Sequence, residues 1–433
     1  MRRAFRALAG AALLAVALAA TACSTTDSPG EQSDGKTTLT IWVPSLIQGA
    51  AKEFPSRFAQ TDPDVSVNVV VIPNPFENNV LTKWAAGERP DILYFHGIGN
   101  FLAQLNPAKN LVDLSDRPFV GATLDGLLDN STEFDGKIYG ALVDFPGVDG
   151  VLYNKPVFDR LGLTAPNNFD DLLKLCDTIR AKDPKVAPIE LAGGDKWPLQ
   201  ILAFQLFTDG LKANPGLIDD VNSNKATFND PVFVAGYQGL KTAYERKCFN
   251  DDIKTASFEN SQKRMISGEA AMTPTISVQT SIFVDAFGAE EVDKNLGFFP
   301  IAKDSNTAAW QTTGQAIYVP QTNEPARIEK AKAFVDWITS AQVAQEYVDS
   351  TKQYPVFEGV NAPTGIPLPL QEAYTAFQAG AIPQYQQNLK AAYGEFADYL
   401  GEMLFAGQSP QWVGEQMQTT FARNAKAQGL AGF

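Results

Sequence analysis

His96 is the one histidine in the 433 residues, so neither a histidine-based metal site nor a relay between two histidines can be built. No GxSxG, HExxH or phosphate-binding glycine loop occurs, and Gly97-Ile98-Gly99 lacks the third glycine of a dinucleotide fingerprint. Acids are plentiful, so carboxylate-only chemistry such as glycoside hydrolysis stays open by residue type, although nothing in the sequence brings two acids together. Two loops do carry rings beside planar polar groups: Gly193-Gly194-Asp195-Lys196-Trp197 and Trp310-Gln311-Thr312-Thr313. Pyranose faces stack on aromatic rings, and their hydroxyls need acceptors and donors of the Asp, Asn and Gln type. Trp197 and Trp310 are therefore expected as stacking platforms, with Asp195 and Gln311 as hydroxyl partners. Tyr354, at the turn before Pro355, is a further candidate ring. Trp84 and Trp337 fall on apolar helical faces and are expected in the core.

These loops need a scaffold, and the hydrophobic pattern supplies it. Leu39, Ile41 and Val43 alternate as a strand, and Val65, Val67, Val69 and Val71 as a second. Between them a helical stripe of Ala50, Phe54 and Phe58 must bend or start at Pro55. A helix over 76–86 leads through Gly87-Glu88-Arg89-Pro90 to a strand over 91–95. That βαβαβ order implies a parallel sheet covered by helices. Further helices are expected over 169–181, under an Asn168 cap, and over 198–206 and 231–247. With 433 residues the chain is too long for one core and suits two or three domains. A formal net charge of −14 without Lys/Arg clusters argues against nucleic acid as a partner.

Residues 135–163, DGKIYGALVDFPGVDGVLYNKPVFDRLGL, read as a hairpin turn, a strand over 137–143 and a Pro/Gly-punctuated crossing over 144–150. A strand through Tyr153-Asn154-Lys155 and a helix from Pro156 follow. This order of GKxYG, spacer and YNKxxFxxxGL resembles the inter-lobe crossing of extracellular solute-binding proteins of ABC importers, the maltose-binding-protein-like class. Met265-Ile266-Ser267-Gly268-Glu269-Ala270-Ala271-Met272 is similar to the family's helix-to-strand signature. The resemblance spans about residues 37–425. It implies an α/β, two-lobe, type II-like periplasmic-binding-protein fold, each lobe a mostly parallel sheet flanked by helices, with the ligand cleft between lobes. It also implies capture of a sugar or oligosaccharide, delivery to a membrane permease with its ATPase, no catalysis, no cofactor and a monomer. Phe95, His96 and Asn100 stand in the loop after the third strand, where the family places ligand contacts; Ser45 and Gln48 follow the first strand. Asp144, with Asp149 as a backup, sits at the crossing, where turn or cap chemistry competes with a ligand contact. Thr275 follows the signature, but no ring does, which leaves a polyol or other non-sugar solute open.

The implied division is lobe 1 over 37–146 and 306–350, and lobe 2 over 147–305 and 351–433. Strands over 296–301 and 313–319 are expected to return to the first lobe. At the start of the chain, Arg2, Arg3 and Arg6, the apolar run 7–20 and Thr21-Ala22-Cys23 resemble a lipoprotein signal (1–22). Cys23 would then be lipidated, and the polar tether 23–36 would hold the protein at the outer face of the cell membrane. Cys176 and Cys248 are expected either as buried thiols or, since an exported protein meets an oxidising compartment, as a disulfide within the second lobe.

Overall fold

The computed structural model describes residues 36–45, 53–73, 75–312 and 316–433. Its strands run in chain order as β1 (Thr37–Pro44), β2 (Val65–Ile72), β3 (Ile92–Phe95), β4 (Glu133–Phe134), β5 (Lys137–Ile138), β6 (Gly140–Leu142) and β7 (Gly147–Asn154). They continue as β8 (Ala187–Ile189), β9 (Ala270–Ile276), β10 (Leu296–Phe299), β11 (Ala309–Gln311), β12 (Ala316–Tyr318) and β13 (Ile382–Pro383). The first sheet has the order β2-β1-β3-β12-β6, and the second the order β13-β11-β7-β9-β8 with β10 also on β7. Each sheet has its own apolar core. One gathers Leu39, Ile41, Ile92, Leu142, Ile317 and Phe334. The other gathers Val151, Ile179, Leu202, Phe207, Tyr237 and Met417.

Local chemistry accounts for the element ends. Pro55 sits in the first turn of the helix Phe54–Thr61, where its missing N–H is not needed. The Asn154 and Asn168 side chains accept the Val157 and Asp171 N–H groups and so start the helices Lys155–Leu161 and Phe169–Lys182. Asp91, buried under the first sheet, accepts Thr40 N–H at 2.7 Å and Arg327 Nε at 2.7 Å, fastening β1 to the helix Pro325–Ile338.

Several expectations change. Both sheets are mixed rather than mostly parallel: β1 runs parallel to β2 and β3, but β12 is antiparallel to both its neighbours, β3 and β6, and β7 is antiparallel to β9, β10 and β11. Strands that arrive from the other lobe enter their sheet from the opposite end. Leu296–Phe299 pairs with β7 in the second sheet and does not return to the first. Ala309–Gln311 also stays there, so the chain re-enters the first sheet at Ala316 rather than at 306. Val356 and Phe357, beyond 350, still pack in the first core. Cys176 and Cys248 are free, buried thiols and not a disulfide. Their apolar faces seat them in the second core as small hydrophobes, and burial together with the neighbouring Cys248 thiol pushes Cys176 well above its usual range.

Glu190 is, after Asp91, a second buried acid held in an ion-pair network, whose other members are partly exposed. Glu190, 0% exposed, accepts Ser261 Oγ at 3.0 Å and Arg264 Nη1 at 3.1 Å, and Arg264 also forks onto Asp252. Burial raises Glu190 while Arg264 draws it back. Removing one partner leaves a buried charge uncompensated, so Arg264→Met is expected to lower stability by about 3–5 kcal/mol in urea unfolding. Adding Glu190→Gln to it should recover most of that loss. A loss below about 1 kcal/mol for the single variant would mean that Glu190 is not held as an ion.

Candidate functional site

The loop after β3 carries the first-lobe groups. Phe95 is fully buried and packs at 5.8 Å on Phe76, so it is core. His96 lies against Phe101, ring centroids 4.9 Å apart, and its Nε2 is 2.6 Å from Glu77 Oε1. Burial would raise Glu77, but the hydrogen bond and charge of His96 take it down to about 2. Tyr318 donates to His96 O at 2.8 Å, which fixes the loop on β12. Asn100 is buried, and its Oδ1 has no partner among the described residues. Ser45 follows β1, its N–H on Ile72 O at 3.2 Å; Gln48 lies outside the described residues.

Across from this loop stands a segment of the second lobe, 384–390. Gln384 N–H donates to Trp310 O at 2.8 Å, and the Asn222 side chain brackets Asn388 O and Lys390 N–H at 2.8 and 2.9 Å. From that anchorage it reaches the first lobe. Gln387 Nε2 donates to Asn130 O at 2.7 Å, to Thr312 Oγ1 at 2.8 Å and to Gly97 O at 3.3 Å, while its Oε1 accepts Thr312 N–H at 3.3 Å. Thr312 in turn bonds Gly97 through both backbone and hydroxyl. Asn388 meets Asn130 at 3.0 Å and Lys390 meets Asp135 at 3.3 Å. Polar groups from both lobes therefore face one another along one seam, beside the chain crossings that join the sheets.

On the second-lobe side, Gln311 Nε2 donates to Asp149 Oδ1 at 2.5 Å. Burial raises the Asp149 carboxyl to about 8, with the Gln311 bond opposing. Asp144, on the crossing between β6 and β7, accepts Tyr347 Oη–H at 2.8 Å and is raised by burial to about 7, the Tyr347 bond again opposing. Both acids are thus partners of neighbouring side chains, Asp149 fully buried and Asp144 half-buried.

The structure separates the remaining predicted residues. Trp310 is 4% exposed and packs at 6.1 Å on Phe377, so it belongs to the core and is no exposed platform. Alternation along β11 aims it at the face opposite Gln311. Tyr354 is stacked on Tyr374 at 3.7 Å, with Phe145 on its edge, and this occupies the ring at the back of the crossing. Thr275 is buried opposite Gly150 on β9. Trp197 is half-buried against the edge of Phe258 at 5.0 Å. Exposed Asp195 accepts Phe258 N–H at 2.6 Å, serving the start of the helix Phe258–Ser267. Asp195 and Trp197 thus lie together, Gln311 joins Asp149, and His96 and Asn100 stay on the first-lobe loop after β3, where the His96 ring is engaged by Glu77 and Phe101.

Sequence-based expectation leaves out Gln205, Gln384, Gln387 and Asn130. A signal for the middle pair is present: Pro383-Gln384-Tyr385-Gln386-Gln387-Asn388 is an amide-rich run without a helical or strand period. Nothing local marks Gln205, which lies inside an apolar helix, Pro198–Ala213.

The chain is 26% identical over 260 residues to the melibiose/raffinose/stachyose-binding protein MelE of Bacillus subtilis, a match that spans 58% of each chain. The chain thus spans somewhat more than half the length of that relative. It is 22% identical over 328 residues to the multiple sugar-binding protein of Streptococcus mutans, covering 74% of this chain and 75% of that one. Among solved structures, a chitin oligosaccharide binding protein superposes with a TM-score of 0.76 at 22% identity, covering 90% of this chain and 99% of the other. The solute-binding protein RafE in complex with raffinose does so with a TM-score of 0.72, also at 22% identity and the same coverages. These neighbours share the two-lobe fold. The family model for bacterial extracellular solute-binding protein matches residues 41–345, and the chain belongs to that family.

Proposed function

We propose that this protein is the substrate-binding component of an ABC importer that captures a sugar or oligosaccharide between its lobes and delivers it to a membrane permease. The observation that carries the reading is the polar seam: Gly97, Asn130 and Thr312 meet Gln387 where two separately cored sheets are joined by short crossings. Sugar-named relatives add support for the ligand class. Lobe 1 is taken as 37–146 with 316–360, and lobe 2 as 147–311 with 361–433. Binding follows hinge closure, which a ligand drives only as far as it favours the closed form; about 3 kcal/mol shifts the populations roughly a hundredfold. The N-terminal segment through Cys23, outside the described residues, is proposed as a lipoprotein signal that anchors the exported protein at the cell membrane.

Thermal unfolding of the soluble part, from Lys36, against melibiose, raffinose, stachyose and chitin oligosaccharides tests the function. At least one is expected to raise Tm by several degrees. Trp197→Ala should remove most of that rise and leave the apo Tm nearly unchanged, because the ring is only half-buried. No shift with any carbohydrate would end the sugar reading, and an unaltered shift in the variant would remove Trp197 from the site.

A further inference from the structure

Register places three polar side chains at one end of one face of the second sheet. Asp149 on β7 is opposite Ala309 on β11, and residues two apart share a face, so Gln311 shares the face of Asp149. Ala309 is opposite Ile382, and the Gln384 N–H bond to Trp310 O continues that ladder, so Gln384 lies on the same face. The helix Pro198–Ala213 covers this face, and its Gln205 Nε2 donates to Gly150 O at 3.0 Å, next to Asp149.

Each of these side chains has one atom closed to water and, among the described residues, without a partner: Asp149 Oδ2, Gln205 Oε1 and Gln384 Nε2. Their residues are at most 1% exposed. A buried polar atom without a partner costs about 1–3 kcal/mol, and three in one neighbourhood call for an occupant. Gln311, which holds Asp149 Oδ1, adjoins Thr312, and Thr312 is bonded to Gln387 and Gly97 in the seam. The sheet end thus lies directly beside the bonds that tie the two lobes together.

We propose that Asp149, Gln205 and Gln384 form the specificity-determining floor of the cleft, taking hydroxyl groups of the bound solute on their three unpartnered atoms. Gln205 Oε1 accepts and Gln384 Nε2 donates. Asp149, with Oδ1 engaged by Gln311 and its carboxyl held protonated by burial near neutral pH, donates from Oδ2. Sugars and polyols, whose hydroxyls both donate and accept, are the matching chemical class. This inference rests on the solute-binding reading above.

Calorimetric titration with whichever of melibiose, raffinose, stachyose or a chitin oligosaccharide binds the parent protein tests it. Asp149→Leu, Gln205→Leu and Gln384→Leu are each expected to weaken that carbohydrate at least tenfold, with an apo Tm equal to or above the parent's. Asp149→Asn leaves an oxygen for Gln311 and puts a donor where Oδ2 stood, so it should stay within about threefold of the parent. Parent-like affinity in Asp149→Leu and Gln205→Leu overturns the proposal and means that buried water only fills the orphan positions. Should Asp149→Leu fail to fold, Gln205→Leu and Gln384→Leu decide between the same two outcomes. A parent protein that binds none of the carbohydrates overturns the sugar reading itself, a different outcome from variants that bind as the parent does.

Discussion

Gly99→Val is expected to hold the lobes apart and to weaken solute binding at least a hundredfold. A Cβ at Gly99 would stand 2.3 Å from Gln387 O and 2.9 Å from Leu389 O, both backbone atoms of the facing lobe. Neither can rotate away, so the seam must open for any side chain to fit. Gly99 has an ordinary φ, and the substitution therefore imposes no backbone strain of its own. Its cost falls on the closed arrangement. A penalty of about 3 kcal/mol on that state alone lowers affinity by roughly two orders of magnitude. Gly97→Ala is a graded companion: its Cβ would meet Thr312 Oγ1 at 2.9 Å, a side-chain atom that can turn aside, so a smaller loss is expected. Small-angle scattering of Gly99→Val should show a larger radius of gyration than the parent with solute present, while the melting of the separate cores changes little. Unchanged scattering and affinity in this variant would show that lobe contact at 97–99 plays no part in binding.

Stability should fall as pH rises from about 4 to about 8, and the double variant Asp144→Asn/Asp149→Asn should flatten that limb. Burial holds these carboxyls at about 7 and about 8 in the folded protein, against an ordinary 3.8. The folded state therefore keeps protons that the unfolded chain has already released. The stabilisation is full below the unfolded value and is lost as pH climbs through the folded ones. Within that window each group contributes up to about 1.4 kcal/mol per pH unit. Tyr347, which donates to Asp144, and Gln311, which donates to Asp149, lower the shifts without cancelling them. Acids held low act with the opposite sign. For Asp113, the Lys137 and Ser115 hydrogen bonds lower the carboxyl to about 2; for Glu77, His96 does the same against burial. Their stabilisation is present above the ordinary carboxylate range and fades as pH falls towards about 2. The maximum should accordingly lie near about pH 4–5. Chemical denaturation at half-unit steps decides it: a parent profile flat from about pH 5 to about 8, or a double variant that keeps the parent slope, would show that these acids are ionised in the fold.

Trp310 and Gln311 illustrate how far sequence carries in such a chain. Sequence puts both in the cleft because they share a polar loop. Adjacent strand residues point to opposite faces, and only the pairing of β11 with β7 shows which face each takes. Trp310 turns to the core and Gln311 to Asp149. Asp195 and Trp197 do lie together, since they are two residues apart in one turn and need no distant partner. Tyr354 sits at the turn before Pro355, but its stacking on Tyr374 depends on a helix twenty residues further along.

Hydrophobic period, turn residues and ordered motifs act over a few positions. They were enough to establish the alternation of strands and helices, the helix caps, the need for more than one core and the family. Which polar groups face the seam is settled only in three dimensions. Gln387 and Gly97 are 290 residues apart, and Asp149 and Gln311 are 162 apart. Contacts at that separation exist only once the sheets have paired and the lobes have met, so no local pattern encodes them.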